Sequence, residues 1–170
     1  MSLAEVMPYD DAATYAGPDR TPPQDVAAEQ SVLGAMLLSK DAIGDVAEVL
    51  KGHDFYRPAH ETIFDAILNL YGRGEPADAI TLADELAKKG ALGRIGGHIY
   101  LHDLLSTVSI ASNASYYAEI VREKAILRRL VEASIKISQL GYAGQGDVAG
   151  IVDEAQQAIY AVAEGKAGED

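Results

Sequence analysis

The 170-residue chain is 48% hydrophobic, enough to bury a core and to set an expectation of one domain, with or without an appendage. It has no cysteine, which rules out a disulfide scaffold, a thiolate zinc site and a cysteine nucleophile, and fits a reducing cytoplasm. A formal net charge of −12 argues against a grip on nucleic acid, which needs clustered Lys and Arg, and points to proteins as partners.

Residues 1–22 hold four acidic residues and one basic one, are interrupted by Pro8 and Pro18, and read as a flexible acidic arm. They offer no basic and apolar sequence of the kind that directs export, and no run of about 18 apolar residues predicts a membrane span. Asp25 to about Leu38 is a helix with Val26, Leu33 and Leu37 on one face, broken by Ser39-Lys40-Asp41. Ile43, Val46, Ala47 and Leu50 predict a short second helix ending near Gly52. Pro58 suits a first helical position, and Ile63, Phe64, Ile67, Leu68 and Tyr71 carry a third helix to Gly72. Thr81 with Asp84 resembles a capping box at the start of a fourth, closed by Gly90. Gly93, Gly96 and Gly97 predict a turn before a fifth short helix over Leu101, Leu104 and Leu105.

From Asn113, a candidate N-cap, to Leu140 neither Gly nor Pro intervenes, and this is the longest predicted element. The turn over Gly141 to Gly146 reverses the chain into a second long helix striped by Val148, Ile151, Val152, Ala155, Ile159 and Val162. The fold expected is all-α. A small globular head over 23–112 precedes a long antiparallel helical hairpin over 113–163, and 164–170 is a tail or the start of a linker.

Chemistry is mostly absent. No GxxxxGK[ST] loop exists, and Gly165-Lys166 is followed by Ala167 where a hydroxyl is needed, so nucleotide hydrolysis cannot be placed on this chain. No catalytic or cofactor-binding residue is assigned. His98 and His102 share a metal-ligand spacing, but their place near a fraying helix start favours surface or capping roles over a metal site.

The long helix carries the sharpest signal. At about 100° per residue, Ile120, Leu127, Val131 and Ile135 share one direction, while Ile126, Leu130, Ala133 and Ile137 lie about 80 to 140° away. Arg122, Arg128, Arg129, Glu132 and Lys136 fill the remaining arc. One returning helix covers one stripe, so a second chain is the natural cover for the other. The residues expected at self-association or partner docking are Ile126, Leu130, Ile137, Ile151 and Ile159.

Five segments also resemble a known family in its own order. They are AEQSVLGAMLL (Ala28 to Leu38), DFYRPAHETIFDAI (Asp54 to Ile67), ADAITLADEL (Ala77 to Leu86), GGHIYLHDL (Gly96 to Leu104) and NASYYAEIVREKAILRRL (Asn113 to Leu130). Together they resemble the amino-terminal domain of DnaB-type replicative helicases over about residues 22–163. The resemblance implies a collar, built as a trimer of dimers in a hexameric ring, that docks primase and a helicase loader or initiator. It also implies an ATPase domain, needing ATP and magnesium, that is not in this sequence. Two readings compete with it: another helical replisome adaptor, such as the helicase-binding domain of primase, and a small helical metalloenzyme built around His98 and His102.

Overall fold

The computed structural model describes residues 20–108 and 110–165, so most of the predicted arm and the tail from 166 onward lie outside the described residues. Among the described residues all regular structure is helical. The order is α1 (Val26–Leu38), α2 (Lys40–Val49), a 3-10 turn (Gly52–Asp54), α3 (Pro58–Gly72), α4 (Ala79–Lys88), α5 (Leu92–Ile95), α6 (Gly97–Thr107), a second 3-10 turn (Ala111–Asn113), α7 (Ala114–Ala143) and α8 (Val148–Glu164). No described helix is long and apolar enough to cross a membrane.

Local chemistry sets most of the boundaries. Asp25 accepts the Ala28 amide and caps α1, and Ser39 ends α1 while its hydroxyl accepts the Ala42 amide to start α2. Pro58 stands in the first turn of α3, where its missing N–H costs nothing. The start of α4 differs from expectation. Its N-cap is Asp78, whose carboxylate accepts the Ile80 and Thr81 amides while Thr81 returns its hydroxyl to the Asp78 amide. Thr81 is thus the inner partner of a capping box that begins three residues earlier than predicted, because Asp78 is the stronger cap. The glycine cluster also holds more structure than a turn. Leu92–Ile95 forms one helical turn, and Gly96, with φ of 111°, ends it and starts α6 directly.

α1 is the hub, packing against α2, α3, α6 and α7. Val32, Leu33 and Met36 are fully buried with Ile63, Phe64, Ile67, Leu82, Leu86, Leu101 and Leu104. α1 and α6 approach so closely that a Cβ on Gly34 would lie 2.2 Å from the Leu104 carbonyl oxygen. The head does not stop at residue 112. Ala114, Ala118 and Val121 of α7 belong to the same core, so the first two turns of the long helix are part of the head. α8 packs back on α7, and the expected αα-hairpin is present.

Candidate protein-interaction site

The hairpin is rooted by two adjacent arginines. Arg129 is buried and donates from Nη2 to Asp54 Oδ1, while Asp54 Oδ2 accepts the Lys51 amide at 2.8 Å. Both carboxylate oxygens are thereby satisfied, as a buried anion requires. Arg128 donates to the Pro23 carbonyl at 2.8 Å and to the Asp54 carbonyl at 2.6 Å, and its guanidinium lies over the Tyr56 ring. Burial pushes the Arg128 pKa down, with Glu29 opposing the shift. Gly165, at the end of α8, approaches the Arg129 guanidinium, so the two ends of the described chain meet at this pair. On the helical wheel Arg129 falls in the charged arc with Arg122, Arg128, Glu132 and Lys136, with no partner indicated. The structure supplies one, because the 3-10 turn brings Asp54 against it.

A second buried polar cluster fixes the head. Glu29 accepts the Tyr56 amide at 2.8 Å and the Nδ1–H of His60 at 2.7 Å. Gln30 donates to the Tyr100 hydroxyl at 3.2 Å, which leaves the tyrosine proton for Nε2 of His60. Among the described residues no buried side-chain nitrogen or oxygen is left without a partner. The cluster holds α1, α3 and α6 together.

Beyond this root the hairpin presents apolar surface. Ala114, Ala118, Val121, Ala125, Arg129 and Ala133 form the buried line of α7. Roughly opposite on the helix lie Ile120, Leu127, Val131 and Ile135, all exposed, with Leu130 at their edge. Of the residues expected at the interface, Leu130 and Ile159 are exposed, whereas Ile126, Ile137 and Ile151 are half-buried. The open face therefore differs from the one expected. The Ile126 and Ile137 side, with Ala133 buried between them, is the more covered, and the Leu127, Val131 and Ile135 side is left to solvent. Small alanines rather than the large aliphatic residues make the intramolecular seam, since they let helices approach closely.

Other candidates gain little. His98 and His102 line a shallow cleft between α4 and α6, and among the described residues no group of three His, Cys, Asp or Glu side chains is placed to hold a metal ion.

An all-helical head with a rooted, apolar-faced hairpin has known counterparts. Residues 21–123 match the family described as DnaB-like helicase N terminal domain. The chain belongs to that family. Within it, a replicative DNA helicase DnaB of Mycobacterium leprae (strain TN) is 67% identical over 147 residues, 85% of this chain and 24% of the relative's length. A replicative DNA helicase DnaC of Bacillus subtilis (strain 168) is 45% identical over 148 residues, 87% of this chain and 33% of that protein. The chain thus spans about a quarter to a third of the curated relatives it matches. The crystal structure of the N-terminal domain of DnaB helicase from Mycobacterium tuberculosis, 66% identical, superposes with a TM-score of 0.79, covering 82% of this chain and 99% of that one. A DnaB-like replicative helicase, described with its interactions with primase, shares the fold at 22% identity, with a TM-score of 0.66 over 81% of this chain and 31% of its own. The resemblance read from five segments and the all-helical expectation are borne out.

Proposed function

We propose that the chain is the non-catalytic collar of a cytoplasmic replicative helicase, assembling a hexameric ring through its hairpins and docking primase and a loader or initiator. The observation that carries this reading is the exposed aliphatic face of the hairpin, Leu127, Leu130, Val131 and Ile135 on α7 with Val152 and Ile159 on α8. A second copy of the hairpin covers such a face. ATP and magnesium belong to a motor domain outside this sequence, and the acidic head leaves DNA contact weak.

The structural relative described with its interactions with primase supports primase as a partner. Its docking on or beside the hairpin is tested by substitution rather than deletion, because Ala114, Ala118 and Val121 belong to the head core. A primase carboxy-terminal domain titrated into wild-type chain and the Val131→Glu and Ile135→Glu variants is expected to bind the variants about tenfold or more weakly, because either change separates the paired hairpins on which it docks. Undiminished binding to both variants, with their folds intact, overturns this placement.

A further inference from the structure

The apolar core of the head takes in Ala114, Ala118 and Val121 of α7 and no later residue of that helix. Beyond Val121, the described hydrogen bonds from α7 to the head come from arginines. Arg122 reaches the Val49 carbonyl at 3.5 Å, and the shorter bonds fall on Pro23 and on the segment from Asp54 to Arg57. Arg129 donates to the Asp54 carboxylate, Arg128 donates to the Asp54 carbonyl, and the Arg128 guanidinium lies over the Tyr56 ring. This segment is the seat of the hairpin, and it is held from α1. Phe55 anchors it in the core, but the Tyr56 and Arg57 amides lie between the 3-10 turn and α3 and belong to neither helix. Both donate to the Glu29 carboxylate, at 2.8 Å and 3.4 Å. Glu29 is 1% exposed, so its charge depends on these donors and on the His60 Nδ1–H at 2.7 Å. Burial pushes the Arg128 pKa down, and Glu29 is the charge that most opposes it, a second link from α1 to the hairpin.

We propose that Glu29 is a positioning residue for the hairpin. Its buried carboxylate fixes the Tyr56 and Arg57 amides, and with them the seat that Arg128 and Arg129 grip, so the direction in which the hairpin leaves the head is set from α1. Glu29→Gln offers one acceptor oxygen to three donors and turns an NH2 group toward an N–H, so the seat shifts or is held less tightly. The helix amplifies the error. From Arg129 to Ala143 α7 runs roughly 21 Å at 1.5 Å per residue, so a tilt of about 10° at the seat moves the tip by about 4 Å. The far end of the same network has no such role, because the Tyr100 hydroxyl meets His60 and Gln30 and neither of the two amides. The claim concerns one chain and holds whether or not hairpins pair.

The chain has no cysteine, so two engineered cysteines are the only sites for thiol-reactive spin labels. Ile80, 82% exposed on α4, marks the head, and Tyr142, 94% exposed near the end of α7, marks the hairpin tip. Double electron–electron resonance between labels at Ile80→Cys and Tyr142→Cys, with labelled chain diluted into unlabelled chain, reads their separation within one molecule. The labelled parent is compared with Glu29→Gln, Glu29→Asp and Tyr100→Phe, and urea midpoints are taken alongside. Parent and Tyr100→Phe are expected to give the same narrow distance distribution. Glu29→Gln is expected to shift or broaden it by about 3 Å or more, and Glu29→Asp, which keeps the charge but reaches less far, by less. Glu29→Gln and Tyr100→Phe should both lower the urea midpoint, so lost stability alone does not produce the difference. A Glu29→Gln distribution that matches the parent overturns the proposal, as does equal broadening in Tyr100→Phe. Should Glu29→Gln fail to fold, Glu29→Asp carries the test, and a distribution there identical to the parent overturns it.

Discussion

Arg129, midway along α7, forms a buried ion pair with Asp54 in the turn before α3, joining residues 75 apart in sequence. Each partner alone would be an uncompensated charge in a site largely closed to water. Arg129→Met is therefore expected to destabilise the fold by about 3–5 kcal/mol. The denaturant midpoint at unchanged slope reads this directly. Adding Asp54→Asn, which removes the stranded charge but keeps an acceptor for the Lys51 amide, is expected to recover part of the loss. A double variant no more stable than Arg129→Met contradicts the assignment.

Asp78 holds the start of α4 through the Ile80 and Thr81 amides, and the Thr81 amide is the largest cause of its lowered pKa. A carboxylate with a depressed folded pKa contributes its full stability above its unfolded value of about 3.9 and loses it as pH falls through the folded value. Asp78→Ala is expected to cost about 1 kcal/mol at pH 7. The gap between wild type and variant should close progressively below about pH 4. Melting curves across that range check it, and a gap that widens with acid runs against the capping role.

Gly34 allows α1 to touch the backbone of α6 at Leu104. Gly34→Ala normally favours a helix, but here the added methyl must push the two helices apart, and the expected outcome is a net loss of about 1–3 kcal/mol. Far-UV circular dichroism during urea titration reads the change. A variant as stable as wild type means that the two helices separate at no cost.

Several features were legible because they depend on local chemistry. Asp25, Ser39, Pro58 and Gly90 mark helix ends through caps and backbone preferences that act over a few residues. The unbroken run after Asn113 marked α7 because nothing in it interrupts a helix. What stayed hidden depends on contacts between distant segments. Glu29 and His60 look like solvated helix residues until the fold brings Tyr100 and the start of α3 to them. Arg129 sits among exposed charges on the wheel, and no periodicity announces Asp54 as its partner. The two aliphatic stripes of α7 were readable, but which one lies open was not. That choice was settled by the alanine line that packs on the head.

The proposed association through the hairpin rests on a small difference between large terms. Leu127, Leu130, Val131 and Ile135 are 43–54% exposed, and Val152 and Ile159 are 49% and 46% exposed. Covering the exposed half of six such side chains on each of two chains yields about 9–18 kcal/mol gross, against about 4–15 kcal/mol for association. A single buried charge should tip that balance, and a two-fold contact repeats the defect on both chains.

Native mass by sedimentation equilibrium across a concentration series, for wild type, Leu130→Glu, Val131→Glu and Lys136→Glu, distinguishes paired hairpins from a single chain. Wild type is expected to be heavier than one chain at micromolar concentration, with Lys136→Glu alike. Leu130→Glu and Val131→Glu are expected at the mass of one chain, still helical and melting cooperatively. A wild type that stays at one-chain mass throughout, or Glu variants that keep the wild-type mass down to nanomolar concentration, would contradict the pairing.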